Sequence, residues 1–194
     1  VLPSVCNLLT NKSLQLNAIL RLLVNPLNWR FFLSRANVVA QSIRNSWGIA
    51  ANLDQLPERP VWSINGTTAE NGRRFRFKCT TMGDYEIGYS EAKNYPLASA
   101  MGVSAAFPGG IGPLTLDALS YQWHKRETWD STQPAEIIKP NFEKIHLYDG
   151  GVYDNLGIEP LFDIGKQSIK VAEGSPEINY VIVSDAGAPF ARKS

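Results

Sequence analysis

Leu147-Tyr148-Asp149-Gly150-Gly151-Val152-Tyr153-Asp154-Asn155-Leu156-Gly157 is the stretch on which the reading of the fold turns. The residues before it (Phe142, Ile145 and Leu147, with Tyr148 closing the run) alternate with polar ones and predict a strand that stops at an aspartate. Two glycines and a polar turn follow, then an expected helix containing Pro160. A carboxylate at a strand end, beside glycines that add no bulk, can face a cleft while substrate or backbone comes close. Open α/β sheets place their chemistry there. Asp-Gly is also an ordinary turn dipeptide in which the Asp side chain bonds local backbone. On these residues alone both readings stand.

Working outward, residues 95–108 (YPLASAMGVSAAFP) predict a helix of small residues whose backbone can approach another element closely. Pro108 and a loop rich in glycine (Gly109, Gly110, Gly112) end it. Residues 61–65 read as a strand, and Asn71-Gly72 is a hairpin-type turn signal. Residues 73–79 alternate basic with apolar side chains, which predicts a strand with one buried and one wet face. That arginine row reads as a solvated sheet face; without aromatic interleaving it gives no support for nucleic acid. Residues 84–89 suggest a further short strand, and 114–140, with Trp123 and Trp129 among charges, read as loop and short helix. Near the C-terminus, 178–183 is almost unbroken apolar sequence, typical of a strand buried on both faces, and it ends in Ser184-Asp185.

The N-terminal part is different in character. Residues 11–24 read as a helix apolar on most sides, stopped by Asn25-Pro26. A second helix starts there and carries Trp29, Phe32, Leu33, Ala36, Val39, Ala40, Ile43 and Trp47 at helical spacing, with Gly48 as its stop. Five of the 19 basic residues and none of the 18 acidic ones fall before residue 54. These helices either pack on the sheet or lie partly in a lipid interface, their arginines near phosphates.

The totals set outer limits. At 194 residues the chain can build one domain with a sizeable core, and its net charge of +1 gives no global field for nucleic acid. Cys6 and Cys79 form neither a disulfide framework nor a metal motif, which suggests a reducing compartment. No run of 18 apolar residues suggests a membrane span. The chain opens on Val without a signal-peptide layout and is expected to be a piece of a longer polypeptide.

The phrase DGGVYDNLG after a strand, with Ser104-Ala105-Ala106-Phe107-Pro108 upstream, resembles the patatin-like phospholipases. The resemblance covers about residues 60–190. It implies a three-layer α/β/α fold with a mostly parallel central sheet, lacking the N-terminal part of the domain. The chain is then a single incomplete domain, 1–194, with a helical basic segment over 1–50 and the sheet over 60–190. It also implies lipid acyl hydrolysis by a Ser-Asp dyad, with Asp149 as general base and Gly150, Gly151 and Asn155 supporting it. Substrates would be phospholipid or other fatty-acyl esters, with peripheral membrane contact through 11–47. The expected place is the cytoplasm or a membrane periphery.

The dyad also needs a serine, usually inside G-x-S-x-G on a sharp strand-to-helix turn, and backbone donors for the oxyanion. Ser90, Ser104 and Ser184 all fail that pattern, and no glycine-rich oxyanion loop is visible. The nucleophile is therefore expected from upstream residues or another chain, and this piece alone is expected to be inactive. Asp185 is the rival carboxylate; Asp154 and Asn155 read as loop-orienting residues. His124 and His146 are the only histidines, too few for a zinc site, and no cofactor or metal is expected. Two other classes compete: a catalytically silent module that binds lipid or protein, and a metal-dependent phosphatase using Asp149 and Asp185.

Overall fold

The structure, a computed structural model, describes residues 35–125, 135–163, 165–170 and 178–185, with isolated positions before residue 35. It divides into two compact units, Val1–Tyr153 and Asp154–Ser194. Of the expected helix over 11–24 only isolated positions are described, among which Leu16, Ile19, Leu20 and Val24 are helical and exposed; the first part of the second helix lies outside the described residues.

The first unit is built on one curled sheet of eight strands. In chain order its elements are α1 (Arg35–Ser46), β1 (Ile64–Thr68), β2 (Arg74–Phe77), β3 (Thr81–Asp84), β4 (Gly88–Glu91), α2 (Leu97–Ser104), β5 (Leu114–Asp117), β6 (Trp123–Lys125), β7 (Glu136–Ile138) and β8 (Lys144–Asp149). The strands lie in the order β5-β8-β1-β2-β3-β4-β6-β7. Every pairing is antiparallel. The expected three-layer fold with a mostly parallel sheet is therefore wrong for the described structure. The reason lies in the connections: β1 to β4 follow one another through tight turns, which join antiparallel neighbours, whereas parallel neighbours need a long crossover. Only α2 interrupts the strands as a helix of more than one turn, and β5, which follows it, sits at the far edge.

Side-chain alternation agrees with a sheet wet on one side. On β2, Phe75 and Phe77 are fully buried, while Arg74 and Arg76 point the other way and are half-buried. On β8, Ile145 and Leu147 are buried between half-exposed His146 and Tyr148. The core lies on the side covered by α2. Five aromatic rings close a circuit there: Phe75 to Phe77 (5.0 Å between centroids), Phe77 to Tyr95 (5.2 Å, stacked), Tyr95 to Tyr121, Tyr121 to Trp123, and Trp123 back to Phe75. Each fully buried ring of this kind stabilises the fold by about 1.5–3 kcal/mol.

The small residues of α2 do what their sequence predicts. A Cβ at Gly66 on β1 would lie 2.4 Å from Cγ1 of Val103, so α2 rests directly on the strand. On its other side Gly102 meets α1, where an added Cβ would be 3.1 Å from Cβ of Ala40. Helix α1, with Ala36, Val38, Ala40, Ser42 and Ile43 buried, thus packs on α2 as an outer layer. Of the N-terminal helices, this described part packs, though chiefly on α2 and not on the sheet as expected.

Several local expectations shift. The 61–65 strand begins later, leaving Val61 and Trp62 exposed. Asp84 ends β3, so the strand expected over 84–89 becomes a turn leading into β4. The 114–140 region supplies three strands and a 3-10 turn (Ala118–Ser120), with Trp123 fully buried.

In the second unit, β9 (Phe162–Asp163) and β10 (Ser168–Ile169) form a small antiparallel pair. The helix expected around Pro160 is a turn. Residues 178–183 are not in a strand, and Tyr180 and Ile182 are almost wholly exposed, so the doubly buried strand is not found.

Candidate functional site: the strand-end carboxylate

Strand β8 runs antiparallel between β5 and β1, and its last residue, Asp149, stands opposite Gly66. Three bonds hold that strand end. The amide of Asp149 donates to the carbonyl of Ala106 (3.0 Å), and the Thr67 hydroxyl donates to the carbonyl of Asp149 (2.8 Å). The amide of Gly151 donates to Asp149 Oδ1 (2.9 Å). Oδ2 takes no hydrogen bond from a described residue. The carboxyl is half-buried, and one oxygen is tied into a local turn while the other stays available.

Gly150 is buried, and its smallness is a steric necessity. A Cβ there would fall 2.7 Å from the carbonyl oxygen of Asn65 and 2.9 Å from Cβ of Asn65. Gly151 is exposed and opens the single helical turn Gly151–Asp154. The segment Ser104 to Pro108, which follows the buried part of α2, lies against this turn through the Ala106 bond. The two motifs picked out from the sequence are therefore physically joined.

Of the serine candidates in the first unit, neither Ser90 nor Ser104 bonds Asp149. Ser90 is buried on β4, opposite Met82, with three strands between it and β8. Ser104 is exposed at the end of α2 and makes no hydrogen bond to Asp149. Ser184 and Asp185 are exposed residues of the second unit. Asn155 belongs to that unit as well and is exposed. Asp154 orients its own loop, accepting the amides of Gly157 (3.0 Å) and Glu159 (2.8 Å), the role expected for it.

Other polar groups on the sheet are satisfied locally. Asp84, fully buried, accepts the amides of Glu86 and Ile87, the Thr68 hydroxyl and the Asn71 side-chain amide. Nothing in its sequence context marked it, because two of its four donors, Thr68 and Asn71, lie 16 and 13 residues away and only the fold brings them to it. Glu70 receives both the backbone amide and Nδ1 of His146, the latter at 2.6 Å. On the wet face Arg76 bonds the Tyr89 hydroxyl and lies over its ring. Burial, with Arg76 and Arg74 close by, holds the Lys78 ammonium below its ordinary range.

A shallow open groove of about 510 Å³ runs beside β6 and β7, lined by Tyr121, Trp123, Ile138 and Lys139 among others; Asp149 does not line it. Among the described residues no three His, Cys, Asp or Glu side chains gather as metal ligands, and no helix is long and apolar enough to cross a membrane. No family model, curated protein or solved structure matches this chain.

Proposed function

We propose that this chain carries the proton-accepting half of a serine-type lipid acyl hydrolase, with Asp149 as general base. The observation that carries the reading is the state of the carboxyl: fixed at a strand end, one oxygen engaged by Gly151, the other available. A positioned base must come within about 2.6–3.2 Å of the hydroxyl it deprotonates. Gly150 lets the chain turn against Asn65 directly after the carboxyl, and the Gly151 amide holds Oδ1 so that Oδ2 stays presented. Oδ2 would take the serine proton as the hydroxyl oxygen attacks the acyl carbonyl, and return it to the leaving alcohol. The hydroxyl and the oxyanion donors come from polypeptide other than the described residues. The substrates are phospholipids or related fatty-acyl esters.

The second reading is a catalytically silent module. The missing hydrogen bond between any described serine of the first unit and Asp149 favours it. A fluorophosphonate probe on the protein in its natural full length separates the two. Covalent labelling, with hydrolysis of fatty-acyl esters lowered at least a hundredfold by Asp149→Asn, is expected of the enzyme. Absence of labelling on folded protein selects the silent module.

A further inference from the structure

Strand β2 and the residue after it set three cations on one side of the sheet. Arg74 and Arg76 alternate with the buried Phe75 and Phe77, and Lys78 continues the alternation, its amide bonded to the Thr81 carbonyl (2.9 Å). All three side chains are half-buried. Lys78 makes no hydrogen bond and no ion pair with a described residue. Burial disfavours its charged form, and Arg76 and Arg74 stand close enough to disfavour it further. Arg76 is held by the hydroxyl and the ring of Tyr89, a neutral partner that fixes the guanidinium without matching its charge.

The flanking strands bring no counter-charge to this face. β1 presents Asn65 opposite Arg76 and Thr67 opposite Arg74, and β3 presents Gly83 opposite Arg76. The carboxylates of the surrounding turns are committed elsewhere. Asp84 is turned to the other face among four donors, Glu86 pairs with Arg73, and Glu70 receives His146. Glu91 is exposed on β4, opposite Thr81. Like charges gathered out of bulk water cost free energy that a bound anion offsets. An ammonium beside a fixed guanidinium suits the dianionic charge and several oxygens of phosphate, where a carboxylate would balance only one of the two.

We infer that Lys78 and Arg76 form a binding site for a phosphate dianion, either inorganic phosphate or the terminal group of a soluble phosphate monoester. The site stands apart from the reading of Asp149. That residue lies opposite Gly66, where an added Cβ would point at Val103 of α2, so register puts it on the other face of the sheet.

The test is calorimetric titration of the full chain with inorganic phosphate, at ionic strength held constant with chloride. One phosphate per chain is expected, with a Kd of about 1 mM or tighter. Lys78→Gln and Arg76→Gln should each weaken binding about tenfold or more, the loss of one charge-assisted contact. Lys78→Arg should retain it, and Lys93→Gln, which removes an exposed lysine elsewhere, should leave it unchanged. Lys78 has no bond with a described residue to lose, so Lys78→Gln without phosphate should melt with wild type or above it. Phosphate should then raise the melting temperature of wild type and not that of the variant. Saturation only above about 10 mM, or equal binding by wild type and Lys78→Gln, overturns the site. So does an equal loss in Lys93→Gln, which would mean that net charge alone attracts the anion. Binding to phosphatidylcholine vesicles that contain phosphatidate, without binding of dissolved phosphate, would make the face a membrane contact and overturn it as well. Fluorophosphonate labelling reads the Asp149 site independently of each of these results.

Discussion

The amide of Asp149 donates to the carbonyl of Ala106 at 3.0 Å, tying the end of β8 to the segment that follows α2. This bond couples the two stretches of sequence that gave the chain its resemblance to patatin-like proteins. It also fixes the backbone of Asp149 without using its carboxylate. The carboxylate of Asp149 and its mount are therefore separable by mutation.

Asp149→Asn should keep the fold. The asparagine oxygen can still accept the Gly151 amide, and both backbone bonds of residue 149 persist. The expected change in unfolding free energy is within about 0.5 kcal/mol. Acyl-ester hydrolysis by the protein in its natural full length should fall about 10²–10⁴-fold. A thermal melt beside a rate assay reads both, and near-normal turnover in this variant would take Asp149 out of the mechanism.

Gly150→Ala should act in the opposite sense, on structure first. Its Cβ would meet backbone of Asn65 at 2.7 Å, and a strand cannot yield there without disturbing the β1–β8 pairing. Overpacking of this kind costs about 1–3 kcal/mol. Gly110→Ala is the control, since a Cβ there makes only ordinary contacts of 3.8 and 3.9 Å with Phe107. Chemical denaturation of both variants should show a clear loss for the first and little for the second; equal losses would mean that crowding at Gly150 is not the cause.

How far the sequence reached depends on whether a signal was local. The alternation of 73–79 placed Phe75 and Phe77 inside and Arg74 and Arg76 outside, because a period of two is written in the chain itself. The small residues of 95–108 foretold a close helix contact, and Gly66 and Gly102 meet it. Strand direction was not local. The same apolar runs serve a parallel or an antiparallel sheet, and family likeness tilted the choice towards parallel while the short β1 to β4 turns favoured the other. Trp123 was hidden for a similar reason: beside its near neighbour Tyr121, it packs against Phe75 of β2, which sequence leaves far away. At the site, Asp149 and its glycines could be located, but the Ala106 bond and the Asn65 wall belong to tertiary structure alone.

Asp84→Ala should be among the most damaging single changes in the first unit. It strands two amides, the Thr68 hydroxyl and the Asn71 amide around a fully buried position. Leaving several buried donors without an acceptor costs about 3 kcal/mol or more. Thr68→Val removes only one donor, whose bond is 3.0 Å, and should cost about 1 kcal/mol. Urea midpoints of the pair test the ranking; a milder effect for Asp84→Ala than for Thr68→Val would contradict the hydrogen-bond account.

Tyr95→Phe should stabilise the protein. The Tyr95 ring is stacked on Phe77 and 3% exposed, but its hydroxyl has no hydrogen-bond partner among the described residues. A buried hydroxyl left unpaired costs about 1–3 kcal/mol, so removing it while keeping the ring should raise stability by about 1 kcal/mol at neutral pH. Burial first, and Tyr121 second, push the ionisation of this phenol far above its ordinary range. Above about pH 10 the unfolded chain loses the Tyr95 proton while the folded one keeps it. The folded state then binds more protons, and stability falls as pH rises; below that pH this term is constant. Phenylalanine has no proton to lose, so the alkaline decline should be shallower in the variant and its advantage over wild type should widen. Urea unfolding at neutral pH and at about pH 11 measures both effects. A variant less stable than wild type at neutral pH would show that the hydroxyl is satisfied in solution, by water or by a residue outside the described set.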